Sequence, residues 1–224
     1  MNDLLRFKND QNYIVLDCET EGLNLVSSRP WQCSWVVCRG NTILSKHDHF
    51  IRWDNINVSA DAARITGFDK DYYYSKAQDP MQVFDKLSKY LYDPSFLIIG
   101  QNLLGFDVYM INVWRKMMGM KTDHFYVKRV IDTKSISTAI FKNILPDKEN
   151  FLSWQYKMLH IREKGLKTNQ AFMLKYYDIP HDPKKLHDSL YDVEMTFEIF
   201  KKQIFNIDLW LNNSHITNPH FQQG

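Results

Sequence analysis

The chain has 224 residues, 44% of them hydrophobic and 24% charged, with a formal net charge of +2; this is the make-up of an ordinary globular protein that buries a core without disulfide or metal staples. A charge so small does not by itself argue for a nucleic-acid partner, and the 14% share of aromatic residues speaks first of core filling. Cys18, Cys33 and Cys38 form no paired framework and read as reduced thiols, no run approaches the ~18 apolar residues of a membrane span, and the start MNDLLRFKND lacks a signal-peptide core, so the expected compartment is the cytoplasm, that of a host cell included.

Residues 13–18 (YIVLDC) are a short apolar run ending in polar residues and Gly22, the pattern of a buried strand entering a turn. Residues 31–38 and 42–51 flank Arg39-Gly40-Asn41 and read as a hairpin, so the sheet starts with three antiparallel strands. The period then changes. Val83, Phe84, Leu87, Tyr90 and Leu91 recur at helical spacing over 80–92, and FLIIG (96–100) is a further buried strand. A helix is expected over 106–118, ended by Gly119, and a strand over 125–131. The stretch 133–186 reads as mostly helical with breaks near Pro146, Gly165 and Pro180, and the last clear helix covers 189–204. From Asn212 the tail is polar and expected to be loose. These elements predict one α/β domain over 1–224 with its core at about 13–205: a mixed β-sheet, three antiparallel strands then parallel ones, flanked by helices.

Asp17 and Glu19 end the first strand two residues apart, so both carboxylates face the same way. Like charges held so close repel unless a cation lies between them. D-x-E alone also fits a solvated strand, but here the acids close an apolar run, and sites of open α/β sheets gather at strand ends. Asp107 stands at the start of a helix, where the helix dipole alone would favour an acid. His187 and Asp192 on a single helix would point roughly 140° apart. With Ser189 as N-cap and Asp192 three residues on, as in a capping box, His187 instead lies on the entering loop and is free to reach Asp192. Each of these residues has an ordinary reading: a first-turn acid, an exposed loop histidine.

Together they are more specific. L-D-C-E-T-E-G-L (16–23), G-Q-N-L-L-G-F-D (100–107) and H-D-S-L-Y-D (187–192) occur in this order, with A-A-R-I-T-G-F (62–68) and I-D-T (131–133) as weaker echoes. The set resembles the DEDDh group of DnaQ-like exonucleases, of RNase H-like fold, over about residues 13–202. H-x4-D is the histidine branch; the position used by the tyrosine branch is Asp188 here, so Tyr191 is not the base. Two departures stand out: Glu21 occupies a place where Thr or Ser is common in the family, and 133–186 matches it weakly. An acid at 21 either reaches the site or points to solvent.

The resemblance implies that Asp17, Glu19, Asp107 and Asp192 bind two divalent cations, Mg2+ or Mn2+, with Asp17 bridging, and that His187 is the general base. It also implies that Leu23 and Ile65 pack on a terminal nucleotide and that Phe106 supports or touches it, although all three also fit a hydrophobic core. The expected function is a 3′→5′ exonuclease releasing 5′-mononucleotides from single-stranded DNA, with a polymerase, if one is involved, on another chain. The alternatives are the same chemistry on RNA ends, since telling the sugars apart depends on pocket detail, and an inactive fold that binds nucleic acid or a replication partner.

Other features carry less. His47 and His49 flank Asp48 on one strand face without further zinc ligands and read as solvated. Cys33 and Cys38 read as core residues. Lys184-Lys185 and Lys201-Lys202 read as loop and helix-end charges, while Arg115-Lys116 and Lys128-Arg129 fit either a phosphate track or a basic surface.

Overall fold

The computed structural model describes residues 8–147 and 149–212, so the expected tail beyond Asn212 lies outside the described residues. Strands β1 (Asn12–Thr20), β2 (Pro30–Arg39), β3 (Thr42–Phe50), β4 (Phe96–Gly100) and β5 (Val130–Asp132) form one sheet in the order β3-β2-β1-β4-β5. β1 pairs antiparallel with β2 and parallel with β4; β2–β3 is antiparallel and β4–β5 parallel. This is the mixed sheet that the order of sequence patterns implies.

β1 is central, which is why its apolar run does not alternate: Tyr13–Leu16 are buried on both faces. Ile14 and Leu16 join a layer with Trp35, Phe84, Leu87 and Trp114, covered by helices α3 (Pro80–Leu91) and α4 (Asp107–Met117). Tyr13 and Val15 join the opposite layer with Ile136, Trp154, Val193, Phe197 and Phe200, from α5 (Thr133–Lys142), α6 (Phe151–His160) and α8 (Ser189–Asn212). The hairpin turns at Gly40 with φ 52°, where an added Cβ would also collide with the Asn9 carbonyl. Among the described residues no helix is long and apolar enough to cross a membrane.

Several expectations change. Two short helices, α1 (Ala60–Thr66) and α2 (Lys70–Lys76), fill a stretch without a sequence assignment; Ser59 and Asp69 cap them by accepting from Ala62 N and Tyr72 N. Only Val130–Asp132 of the strand expected over 125–131 is a strand, and Phe125–Arg129 is a 3-10 turn. The segment 133–186 holds α5, α6, α7 (Gln170–Tyr176) and a 3-10 turn at Pro183–Lys185. His47 and His49 do share a face, but it is half-buried against Trp35, with ring centroids 5.0 Å from the indole in both cases, and burial lowers both imidazole pKa values. All three cysteines are buried free thiols.

In the pairs Arg115-Lys116 and Lys128-Arg129 the arginine turns inward and the lysine is exposed. Arg115 donates to the Lys121 carbonyl at 2.8 Å and to Tyr92 Oη at 2.8 Å. Arg129 donates to the carbonyls of Leu91, Asp93 and Phe96, tying the end of α3 to the start of β4, and burial lowers its pKa. The Asp93 carbonyl also accepts from Phe96 N at 3.1 Å, but removing the guanidinium takes this side-chain donor from all three carbonyls at once. Arg129→Met is therefore expected to lower the urea-unfolding free energy by about 2–4 kcal/mol, whereas Lys128→Met on the exposed neighbour should change it by less than ~0.5 kcal/mol.

Candidate active site

The site forms where β1, α4 and α8 meet at the C-terminal end of β1. Asp17 and Glu19 lie on the face of β1 that carries Tyr13 and Val15, toward α8. Asp107 arrives from the other side as the first residue of α4 and is buried. Its Oδ1 accepts from the Cys18 backbone N–H at 3.0 Å, which fixes it between the two strand acids. The turn before it, Leu103–Gly105, is held by Asp132: that buried carboxylate accepts from the backbone N–H groups of Asn102, Leu104, Lys134 and Ser135. Burial pushes its pKa up to about 6 in spite of these donors. The weak I-D-T echo is thus a brace for the loop that delivers Asp107.

His187 lies outside α8, on the loop that enters it, with the left-handed φ of 75° that His tolerates better than most side chains. Its backbone N–H donates to Asp192 Oδ2 at 3.0 Å, so the loop is pinned to the first turn of the helix. The expected capping differs by one residue. Asp188 caps α8, accepting from Tyr191 N at 3.0 Å, and Ser189 turns its hydroxyl toward Asp17 Oδ2 at 3.5 Å. The roles part because Asp192 is engaged by His187 and cannot reach back to a Ser189 backbone.

These acids repel one another. Burial, countered by the Ser189 hydroxyl, pushes Asp17 up to about 6; burial and then the charges of Asp17, Asp192 and Asp188 push Glu19 up to about 9. Burial and then Asp17 push Asp192 up to about 7, and the same two causes raise Asp107 well above the usual carboxylate range. Asp192 Oδ1 is buried with no hydrogen-bond partner among the described residues. Among those residues no three His, Cys, Asp or Glu side chains stand close enough together to hold an ion as they are. The donor set, all hard oxygen with one orphaned buried atom, fits a hard divalent cation.

Beside the acids lies a cavity of about 810 Å³ lined by Glu19, Leu23, Ile65 and Phe106. Leu23 is 85% exposed and Ile65 48%, so neither is a core residue. Glu21 neither reaches the acids nor points to solvent. It pairs with Arg29 at 2.5 Å and accepts from the backbone N–H of Arg29 and Asn57. Burial works to raise its pKa, but Arg29 and these N–H groups hold it below the usual range. The Ser59 N–H donates to the Glu21 carbonyl, which joins the Leu23 loop to the start of α1. The Arg at 29, eight residues after the odd acid, is the signal in the sequence that points to this pairing.

Comparisons with known proteins fit this fold. A family model of RNase T-type exonucleases matches residues 14–200. The chain belongs to this exonuclease family. The exonuclease fold is also that of E. coli exonuclease I in complex with a dA16 oligonucleotide, with a TM-score of 0.69 at 16% identity over 91% of this chain and 43% of that one. A zinc-bound form of the E. coli exonuclease I–single-stranded DNA complex matches with a TM-score of 0.69 at 14% identity, over 92% of this chain and 42% of the other. At these identities the likeness is one of fold. The PolC-type DNA polymerase III of Bacillus cereus is 26% identical over 140 residues, 62% of this chain and 9% of the polymerase. The chain therefore spans less than half of either kind of relative.

The raised carboxylates fix a sign for stability. Each binds its proton more tightly in the folded than in the unfolded chain, so its contribution is full below the ordinary pKa of about 4 and is lost as pH rises through the folded value. With Asp17, Asp192 and Glu19 at about 6, 7 and 9, the melting temperature in chelator should fall steadily from about pH 5 to pH 9. Glu19→Gln should flatten the upper part of that fall and melt higher than wild type at pH 8. Calorimetry across this range checks both, and a pH-independent melting temperature would contradict the crowding.

Proposed function

We propose that the chain is a 3′→5′ exonuclease that hydrolyses the last phosphodiester bond of a single-stranded DNA end and releases 5′-mononucleotides. The observation that carries this reading is the meeting of Asp17, Glu19, Asp107 and Asp192 at the end of β1, beside a cavity of about 810 Å³ that has room for a nucleotide. The four acids would hold two divalent cations, Mg2+ or Mn2+, with the central Asp17 shared. When bound, such a pair supplies the positive charge that stabilises an in-line displacement at phosphorus.

The chain's own residues do the rest. Asp107, fixed by Cys18 N, and Asp17, steadied by Ser189, keep the carboxylates in place. His187, on its pinned loop, takes the proton of the attacking water on an imidazole nitrogen. As the water oxygen bonds to phosphorus the phosphorus–O3′ bond breaks, and the 3′-oxygen leaves with the rest of the strand, taking a proton from solvent to become its new 3′-hydroxyl. Leu23 and Ile65 pack on the terminal base with Phe106 behind, which requires that base to be unstacked and unpaired. Unpairing costs a few kcal/mol that a single strand avoids. That the exonuclease I structure holds a dA16 oligonucleotide supports the choice of DNA.

Asp17→Ala and Asp107→Ala should abolish Mg2+-dependent turnover of an end-labelled oligonucleotide while the fold survives. His187→Ala should lower the rate by ~10²–10⁴ and remove the acid limb of the pH–rate profile without loss of metal binding. Wild-type rates in either aspartate variant would sink the ligand assignment. Leu23→Ala should raise KM for oligonucleotide more than it changes Mg2+ affinity. Label at either end should show loss from the 3′ end, faster on single strands than on duplex; digestion from the 5′ end, or rapid cleavage of circular single strands, would sink the 3′→5′ exonuclease reading and leave only a metal nuclease of another mode.

A further inference from the structure

An in-line displacement puts the attacking water and the leaving 3′-oxygen on opposite sides of the phosphorus. On the reading above, His187 marks the attack side, so the strand attached to the leaving oxygen departs on the other side. The flanks of the site differ accordingly. The His187 flank, beyond β2 and β3, has a cavity of about 390 Å³ shared by His187, Arg64, Lys184, Lys185 and the aromatic Phe50 and Tyr72. The opposite flank, beyond β4 and β5, has a cavity of about 400 Å³ bounded by Gln101, Asn102, Lys134, Lys167, Asn169 and Gln170.

This second cavity is tied to the acids. Gln170 Nε2 donates to the Asp192 carbonyl at 2.7 Å and to Thr196 Oγ1 at 2.9 Å. Gln101 Nε2 donates to the Thr168 carbonyl at 2.7 Å, and Lys134 Nζ to Asn102 Oδ1 at 3.2 Å. Asn102 belongs to the turn that delivers Asp107. Among the described residues neither lysine is in an ion pair. The walls offer ammonium and amide groups but no aromatic ring. They suit a phosphodiester backbone rather than stacked bases.

We propose that Lys134 and Lys167 form a phosphate track that receives the strand 5′ of the scissile bond. The proposal rests on the exonuclease reading of the acids and adds the direction in which the strand leaves them. The track touches phosphates, so it confers length dependence without base preference.

The test compares a 20-nucleotide single strand with a dinucleotide. In Lys134→Gln/Lys167→Gln the ratio of kcat/KM, long over short, should fall about tenfold or more. Glutamine at 134 keeps a donor for Asn102 and removes only the charge. In Ca2+, fluorescence anisotropy of the 20-mer should show a log–log salt slope shallower by roughly 1.4, since each single-strand phosphate that a lysine neutralises adds about 0.7 to the slope. A merely structural role would lower both substrates alike and leave the ratio and slope unchanged, which overturns the track. So would a fall of the ratio in Lys184→Gln/Lys185→Gln instead, since the strand would then leave past His187. Were the wild-type chain to hydrolyse neither substrate, the exonuclease reading alone would fall, and the anisotropy slopes would still decide the track.

Discussion

Four carboxylates brought to the end of one buried strand are the constraint on which the rest of this structure depends. Each loses hydration on folding, which raises its pKa, and the charge of neighbouring acids raises Glu19, Asp107 and Asp192 further. A sheet that placed them there without fixing them would let them swing out to solvent. They are fixed from three directions: the β2 ladder beside Asp17 and Glu19, the Cys18 N–H that holds Asp107, and the His187 N–H that holds Asp192. None of these donors is a cation. Among the described residues no Lys or Arg pairs with these four acids, which suits the arrangement to the cation binding proposed above rather than to an ion-pair network.

A second group of acids around the site behaves differently, and the contrast separates structure from chemistry. Asp132, Glu21 and Asp188 have oxygens occupied by N–H donors or, for Glu21, also by a guanidinium. They brace respectively the Asp107 turn, the Leu23 loop and the first turn of α8. Asp192 keeps one buried oxygen without any donor among the described residues. An acid whose acceptor capacity is filled from the backbone has little left to offer a cation, whereas an orphaned buried oxygen is costly unless something arrives to meet it. By this criterion Glu21, which the motif pattern marks as an oddity beside the site, is part of the scaffold.

What is legible in the sequence follows the same physics. The strand ending in Asp17 and Glu19, the strand at 96–100 and the helix beginning near Asp107 can be read because their burial leaves long, regular apolar patterns. The 125–131 stretch misleads because FYVKR has β-rich side chains, yet Tyr126 and Val127 are buried from a 3-10 turn whose end is set by the tertiary bonds of Arg129. α1 and α2 are only seven residues long, too short for a period, and their caps at Ser59 and Asp69 are the better signal. Ser189 reads as the cap where Asp188 serves, since either residue can accept from a first-turn N–H and only the engagement of Asp192 by His187 decides between them. His47 and His49 cannot be placed from alternation alone, which tells which side chains share a face but not what covers it.

The region that reads least well, 133–186, is also held in the least repetitive way. Its helices are short, and buried glutamines lock them to the sheet or to one another. Gln155 of α6 accepts at Oε1 from Asp132 N and donates from Nε2 to the Val130 carbonyl, completing β5 where no sixth strand follows among the described residues. Gln203 of α8 reaches the Thr133 carbonyl and Ser137 of α5, and Gln170 of α7 reaches Asp192. A side-chain amide can satisfy a backbone donor and acceptor at once and leaves no period in the sequence. The flank of the site built this way is therefore specified by individual polar contacts, while the opposite flank rests on the regular β1–β2–β3 ladder. A substitution in such a flank removes an individual polar contact and leaves the sheet that carries the acids in place, so if a strand lies there as proposed, its hold can be altered without altering the acids.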